Sequence, residues 1–422
     1  MSQKNSNGVM RTMLILSEKF KVLNITEDNL LEISKEQNFI HIFSDVPDFR
    51  MKGKITFKLA NILMLVFLAI IQGGKMSFTG MEDYIEANKR KFEEYGLIEN
   101  GNCPSHDTIR RILTMLDSDA LYECTLEGFY NFLLSLENNL RKQGDYKHVG
   151  FDGKEMRGSG RAKETKNPKG NISMLNIYDS GLMTAVFSEP IDTKESEIPI
   201  AQNLLGKMNL KNVVATADAL HCQTETVRLI ADQKGIYVLA VKGNQPLLQQ
   251  EVQARFNNRR VKIQTIEREQ RTIDIITLPK NYALRDEWKG LKSFARMTSN
   301  KRKDPCIMYF ISNTADPQLI VDGIESRWMI EDGYHKPKDL IFHEDVCRST
   351  DKNALHNIAI LNNLALQLFN MYQMISGKIF RKAKIYFQFN PVECLNTILG
   401  VMSSEDIVNR LVKELKKHKK SN

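Results

Sequence analysis

The feature that most constrains this chain is a change of rhythm at Tyr146. Before it, apolar residues recur at helical spacing. After it, short apolar runs predict strands at Val149–Phe151, Ile172–Tyr178, Leu182–Phe187, Val213–Ala217 and Tyr237–Val241. The first three follow one another closely, with Gly181 at a hairpin turn. Helical stretches from Ser196 to Met208 and from Thr224 to Lys234 separate the last three. Adjacent strands followed by helix and strand in alternation predict an α/β fold, a mixed sheet with flanking helices.

The flanks of that sheet divide the chain. Residues 1–40 form an N-terminal extension with a helical patch over Asn29–Gln37 and no recognisable chemistry. Residues 41–144 form an all-helical domain with helices over Ile55–Ile71, from Ser77 onward, after Ser105, and from Ser118 to Lys142. Ser105 is placed to cap a helix whose apolar face is Ile109, Ile112, Leu113 and Leu116, with Arg110 and Arg111 opposite. This domain reads equally as a groove-reading helical module or as a bundle packed on the neighbouring domain. The α/β domain spans 145–375. Within it, residues at about 247–312 are a strand-rich insertion that extends the sheet, with basic runs Lys262–Glu267 and Arg271–Leu278 that read as half-exposed strands or as a backbone platform for DNA. Helical periodicity returns over Pro317–Ile330 and Asn353–Met374, and residues 376–422 form a basic C-terminal segment.

At 422 residues the chain has room for two or three domains with real cores. Its net charge of +8 favours a polyanionic partner. Most of that excess lies in the last segment, where ten Lys or Arg face four Asp or Glu. The six cysteines are scattered without a C-x-x-C pair, which reads as reduced thiols. His335, His343 and Cys347 fit no standard zinc spacing. The apolar run Leu59–Ile71 is shorter than the roughly 18 residues of a membrane span and predicts a buried helix. No signal-peptide pattern opens the sequence, so a cytoplasmic protein is expected.

Two acids stand where apolar strands run out: Asp152 in His148-Val-Gly-Phe-Asp-Gly-Lys154, and Asp218 after Val213–Ala217. Asp152-Gly153 also reads as a plain turn. If the two strands are neighbours, both carboxylates meet at one sheet edge. A third acid, Glu331, lies four residues beyond Arg327 on a predicted helix, a spacing that fits a surface ion pair as well as a site. Three such carboxylates are what two-metal phosphodiester chemistry requires, because they bridge two cations about 4 Å apart. Lys154, Arg157, Lys242, Arg327 and Lys338 are the cations placed to hold phosphates. Asn244 and Gln245, after Lys242, read as DNA contacts, as groups orienting a catalytic carboxylate, or as a tight loop.

Several separated motifs, in order, carry a family resemblance. They are Asp45 to Arg50, Pro104-Ser-x-Asp-Thr-x-x-Arg111, Asp152-Gly-Lys-x-x-Arg-Gly-Ser159, Asp218-Ala-x-His-x-Gln223, Lys242-Gly-Asn-Gln-Pro246 and Trp328-x-Ile-Glu331, with His335, Asp339, Phe342, Glu344, Asp345 and Arg348. The chain resembles transposases of the H-repeat-associated insertion-sequence family, in the Asp-Asp-Glu superfamily with a ribonuclease H-like core. Arg327, Glu331 and Lys338 also echo a signature of related transposases, with Ile324 in place of its tyrosine. The resemblance implies Asp152, Asp218 and Glu331 as catalytic acids and metal ligands for two Mg²⁺ ions, with Mn²⁺ as a substitute. His221, His335, Asp339, Glu344 and Asp345 are supporting candidates. It implies cleavage at the element's ends and strand transfer into target DNA, with double-stranded DNA as partner and a homodimer or higher synaptic multimer as the working form, in a prokaryotic, nucleoid-associated protein. The alternatives are a related Mg²⁺-dependent nuclease, or an inactive or domesticated transposase that only binds DNA.

Overall fold

The computed structural model describes residues 11–23, 25, 32, 38–73, 77–142, 144–160, 170–191, 194–268, 270–299 and 306–421. The helical patch expected over Asn29–Gln37 lies outside them, Glu32 apart. One nine-stranded sheet organises the chain, in the order β3-β2-β1-β4-β5-β9-β8-β7-β6. β1 (Lys147–Met156), β2 (Ile172–Asp179) and β3 (Thr184–Ile191) pair antiparallel in sequence order. β4 (Val213–Ala217) runs parallel to β1, and β5 (Ile236–Val241) parallel to β4. Every residue of β4 and β5 is buried, as central parallel strands covered on both faces require.

β6 (Gln264–Arg268), β7 (Arg271–Thr277), β8 (Ser293–Ser299) and β9 (Cys306–Ser312) add an antiparallel extension, joined to β5 through β9. The expected insertion therefore does extend the sheet. It opens, however, with a helix over Pro246–Asn257, started by a proline at its first turn, where a strand-rich stretch is expected.

Helices α1 (Arg11–Val22), α2 (Leu59–Ile71), α3 (Phe78–Ala87), α4 (Lys89–Glu94), α5 (His106–Met115), α6 (Ser118–Cys124) and α7 (Leu126–Leu140) precede the sheet. The single helix expected from Ser118 to Lys142 is broken at Thr125, whose backbone leaves the helical region (φ −128°, ψ −80°) and whose hydroxyl donates to the Leu121 carbonyl. Ser105 caps α5 as expected, accepting from Thr108 N at 3.3 Å. Between strands lie α8 (Lys194–Lys207), α9 (Thr224–Asp232) and α10, the Pro246–Asn257 helix. Through Leu204, Val227 and Val252 they cover one sheet face, packing in one cluster with Phe151 and Leu239 of the strands.

The other face carries α11 (Pro317–Met329) and α13 (Lys352–Ser376), with α12 (Lys336–Phe342) leading from one to the other; α14 (Phe380–Phe389) and α15 (Pro391–Ser403) pack on α13, and α16 (Glu405–Ser421) packs on α1 and α7. α11 lies directly on the strands: a Cβ at Gly323 would come within 2.6 Å of Val238 Cγ2. α13, twenty-five residues long and buried almost all round, is a central core helix. It joins α1 and α2 to the sheet in one hydrophobic cluster, so helices from both ends of the chain share a core. Asn353 and Asn357 of α13 donate to the carbonyls of Leu113, Thr114 and Leu116 at 2.8–3.0 Å, satisfying the open C-terminal end of α5. Among the described residues no helix is long and apolar enough to cross a membrane.

Candidate active site

Parallel pairing of β1 with β4 ends at Phe151↔Ala217, so Asp152 and Asp218 follow side by side on adjacent strands. β1 itself does not end at Asp152. It continues to Met156, with Asp152 opposite Asn176 of β2, and the turn expected at Asp152-Gly153 is strand. Asp218 does leave its strand, capping a short 3₁₀ turn over Ala219–His221 by accepting from Leu220 N at 2.9 Å.

Glu331 arrives from the opposite layer. The helix expected over Pro317–Ile330 does not stop there: past Met329 it widens into a π-helix over Ile330–His335 before α12. Single π turns inside helices recur at functional sites because they re-aim side chains. Gly150 of β1 brings the strand against Ile330, and the Tyr178 hydroxyl donates to the Gly333 carbonyl at 3.3 Å. The Tyr334 hydroxyl lies 2.7 Å from both Asn176 Oδ1 and Asn363 Oδ1. These contacts hold Glu331 beside Asp152. Donor atoms of Asp152, Glu331 and His335 all lie within 4.8 Å of one another.

Burial first, then the negative charges of Asp218 and Glu331, push the Asp152 carboxyl up to about 7. Glu331, 55% exposed, is instead held below its usual range mainly by the neighbouring His335, whose Nδ1 lies 3.9 Å from Oε2. Crowded carboxylates beside an imidazole make an oxygen-rich donor set that fits a divalent cation. Oxygen favours Mg²⁺, and an imidazole nitrogen adds affinity for Mn²⁺.

The expected phosphate-holding cations separate into two groups. Lys154 and Lys338 are 7% and 1% exposed, so neither is placed to meet a phosphate as expected. Lys154 pairs with Asp339, with Glu344 at 3.1 Å and with Asp345 at 3.4 Å. Lys338 pairs with Glu344 at 2.6 Å and lies over the Tyr334 ring. The reason is charge balance: a wholly buried Glu344 needs both ammonium groups. This cluster ties β1, two residues beyond Asp152, to the helix that follows Glu331. Arg157 and Lys242 are exposed, Arg157 lying 3.7 Å from Asp345.

Arg327 makes no ion pair with Glu331 among the described residues. Its guanidinium lies 5.5 Å from the Trp328 ring, which Arg271 approaches at 4.1 Å. The side chains of Asn244 and Gln245 donate to the carbonyls of Ala219 and Cys222, so they hold the turn behind Asp218. His221 is wholly buried and pairs with Glu197 at 3.0 Å. Glu197, on α8, is absent from the sequence expectations. Its one sequence signal is Gly153, since a glycine within a strand marks a close approach.

The architecture and site define a class: antiparallel β1–β3, then parallel β4 and β5, with acids on β1, after β4 and on a helix beyond, is a ribonuclease H-like fold. Residues 143–368 match the family described as Transposase DDE domain, and residues 40–127 match DDE_Tnp_1-associated. The chain belongs to this DDE transposase family. "Putative transposase YncI" of Escherichia coli O157:H7 is 28% identical over 368 residues, covering 82% of this chain and 91% of that one. "H repeat-associated putative transposase YhhI" of Escherichia coli K12 is 26% identical over 375 residues, covering 84% and 95%. A solved piggyBac transposase synaptic complex with hairpin DNA aligns over 99% of this chain and 87% of that one, at 13% identity and a TM-score of 0.43.

Proposed function

We propose that this chain is an active DNA transposase that cleaves the ends of its own element and joins the resulting 3′-hydroxyl to target DNA. The observation that carries this reading is the meeting of Asp152, Glu331 and His335 within 4.8 Å, with Asp218 on the neighbouring strand. Asp152, Asp218 and Glu331, with His335, would hold divalent cations. When bound, such ions activate the attacking oxygen and stabilise the leaving oxygen. The protein's own part is to fix the donors. The β1–β4 pairing sets the two aspartates side by side, the π turn aims Glu331, and the Lys154–Glu344–Lys338 cluster locks the two layers together. Exposed Arg157 and Lys242 contact the DNA backbone, double-stranded ends and target are the partners, and a dimer or higher multimer brings two ends together.

Purified chain, Mg²⁺ and a plasmid carrying the element's ends should give end cleavage followed by products joined to a second DNA. Cleavage without joined product would favour a nuclease, and neither product in Mg²⁺ or Mn²⁺ would refute the proposal. The presence of all three acids and His335 disfavours the inactive alternative.

A further inference from the structure

Helix α8 delivers an acid to the floor of the site. Glu197 Oε1 lies 3.0 Å from His221 Nε2. A carboxylate only accepts, so this contact makes Nε2 the donor and leaves Nδ1 without its hydrogen in the neutral ring. Nδ1 is buried without a hydrogen-bond partner, and the imidazole is held edge-on to Phe151, ring centroids 4.9 Å apart. The same carboxylate rests on β1, where a Cβ at Gly153 would come within 2.8–2.9 Å of both its oxygens. One side chain therefore touches the residue after Asp152 and, through His221, the turn that begins at Asp218.

Asp152 and Asp218 repel each other, and the strand pairing that aligns them stops one residue short. Their spacing beyond that point has to be set by something outside the ladder. We propose that Glu197 and His221 are a positioning pair that fixes the Asp218 turn against the Asp152 strand, and that cation affinity depends on this brace. The inference rests on the reading of the acids as a cation site. Hydrogen-bonded partners behind metal ligands alter affinity by about 10–100-fold when removed.

The test is Mn²⁺ binding to the full chain, followed by the paramagnetic resonance of free Mn²⁺, with thermal midpoints compared in chelator. Glu197→Ala and His221→Ala should each weaken binding about tenfold or more, and the double variant should be no worse than either. Glu197→Gln keeps an acceptor for His221 and should recover most of the affinity. Gly153→Ala, which displaces the carboxylate with both side chains intact, should weaken binding alone but add little to Glu197→Ala; it also serves if the alanine variants fail to fold. Wild-type affinity in Glu197→Ala or Gly153→Ala would overturn the proposal, as would a Glu197→Gln as weak as Glu197→Ala. If Asp152→Asn binds Mn²⁺ like the wild type, the cation-site reading falls and the brace with it. Weakened Asp152→Asn beside unaffected Glu197→Ala sinks the brace alone.

Discussion

Glu344→Gln should lower the free energy of unfolding by about 3–5 kcal/mol, the cost of breaking a buried ion pair from one side. Glu344 and Lys338 are each 1% exposed, and the variant leaves Lys338 without the carboxylate 2.6 Å away. Burial acts to raise the Glu344 carboxyl, but Lys338 and Lys154 outweigh it and hold it at about 2. A depressed folded-state pKa contributes stability that is complete above the unfolded value of about 4.5 and is lost as pH falls toward 2. The difference between wild type and Glu344→Gln should thus narrow from pH 5 to pH 2.5 in denaturant titrations. A difference that stays constant over that range would rule out the ion-pair assignment. Adding Lys338→Met should restore part of the loss, because an apolar side chain removes the stranded charge.

The turn beyond β1 should be similarly unforgiving. A Cβ at Gly158 would overlap the Cys347 carbonyl oxygen and reach 3.0 Å from that of Asp345. Both obstacles are backbone, so no side chain can rotate away. The turn has little slack of its own: Ser159 Oγ donates to the Met156 carbonyl at 2.6 Å and accepts from Ile172 N at 2.7 Å. Gly158→Ala should therefore destabilise by about 1–3 kcal/mol, as overpacking does. Gly128→Ala, in open space within α7, is the matched control and should be neutral or stabilising. Equal thermal midpoints for the two variants would show that the turn relaxes freely.

These two sites show where local reading of the sequence stops. β4 is legible residue for residue, because four apolar residues and a β-branched threonine before an acid read as a covered strand. That pattern also suffices to bring Asp152 and Asp218 to one edge once the strands are neighbours. Asp152-Gly153, however, reads as a turn, since its local chemistry favours one. Pairing with β2 makes it strand, and the glycine answers to Glu197, forty-four residues on. Lys154 and Lys338 read as accessible cations placed to hold phosphates, because lysine is usually exposed. The acids that bury Lys154 lie more than 180 residues away in sequence. Helical periodicity runs out at Ile330, yet the missing side chain of Gly333 admits Met329 and the Tyr178 hydroxyl, and the helix widens instead of stopping. In each case a distant partner decides a conformation that the neighbours leave open.

If Asp152, Asp218 and Glu331 act together on DNA through divalent cations, removing any one of their charges should disable the other two. Wild type should be compared with Asp152→Asn, Asp218→Asn and Glu331→Gln for Mg²⁺-dependent cleavage of the element's ends, at equal protein and matched thermal midpoints. Wild-type cleavage should be abolished by chelator, and each variant should lose at least about a thousandfold in rate, since all three positions serve one charge-stabilising site. Cleavage at the wild-type rate by Asp152→Asn or Asp218→Asn would show that these acids are not the catalytic centre.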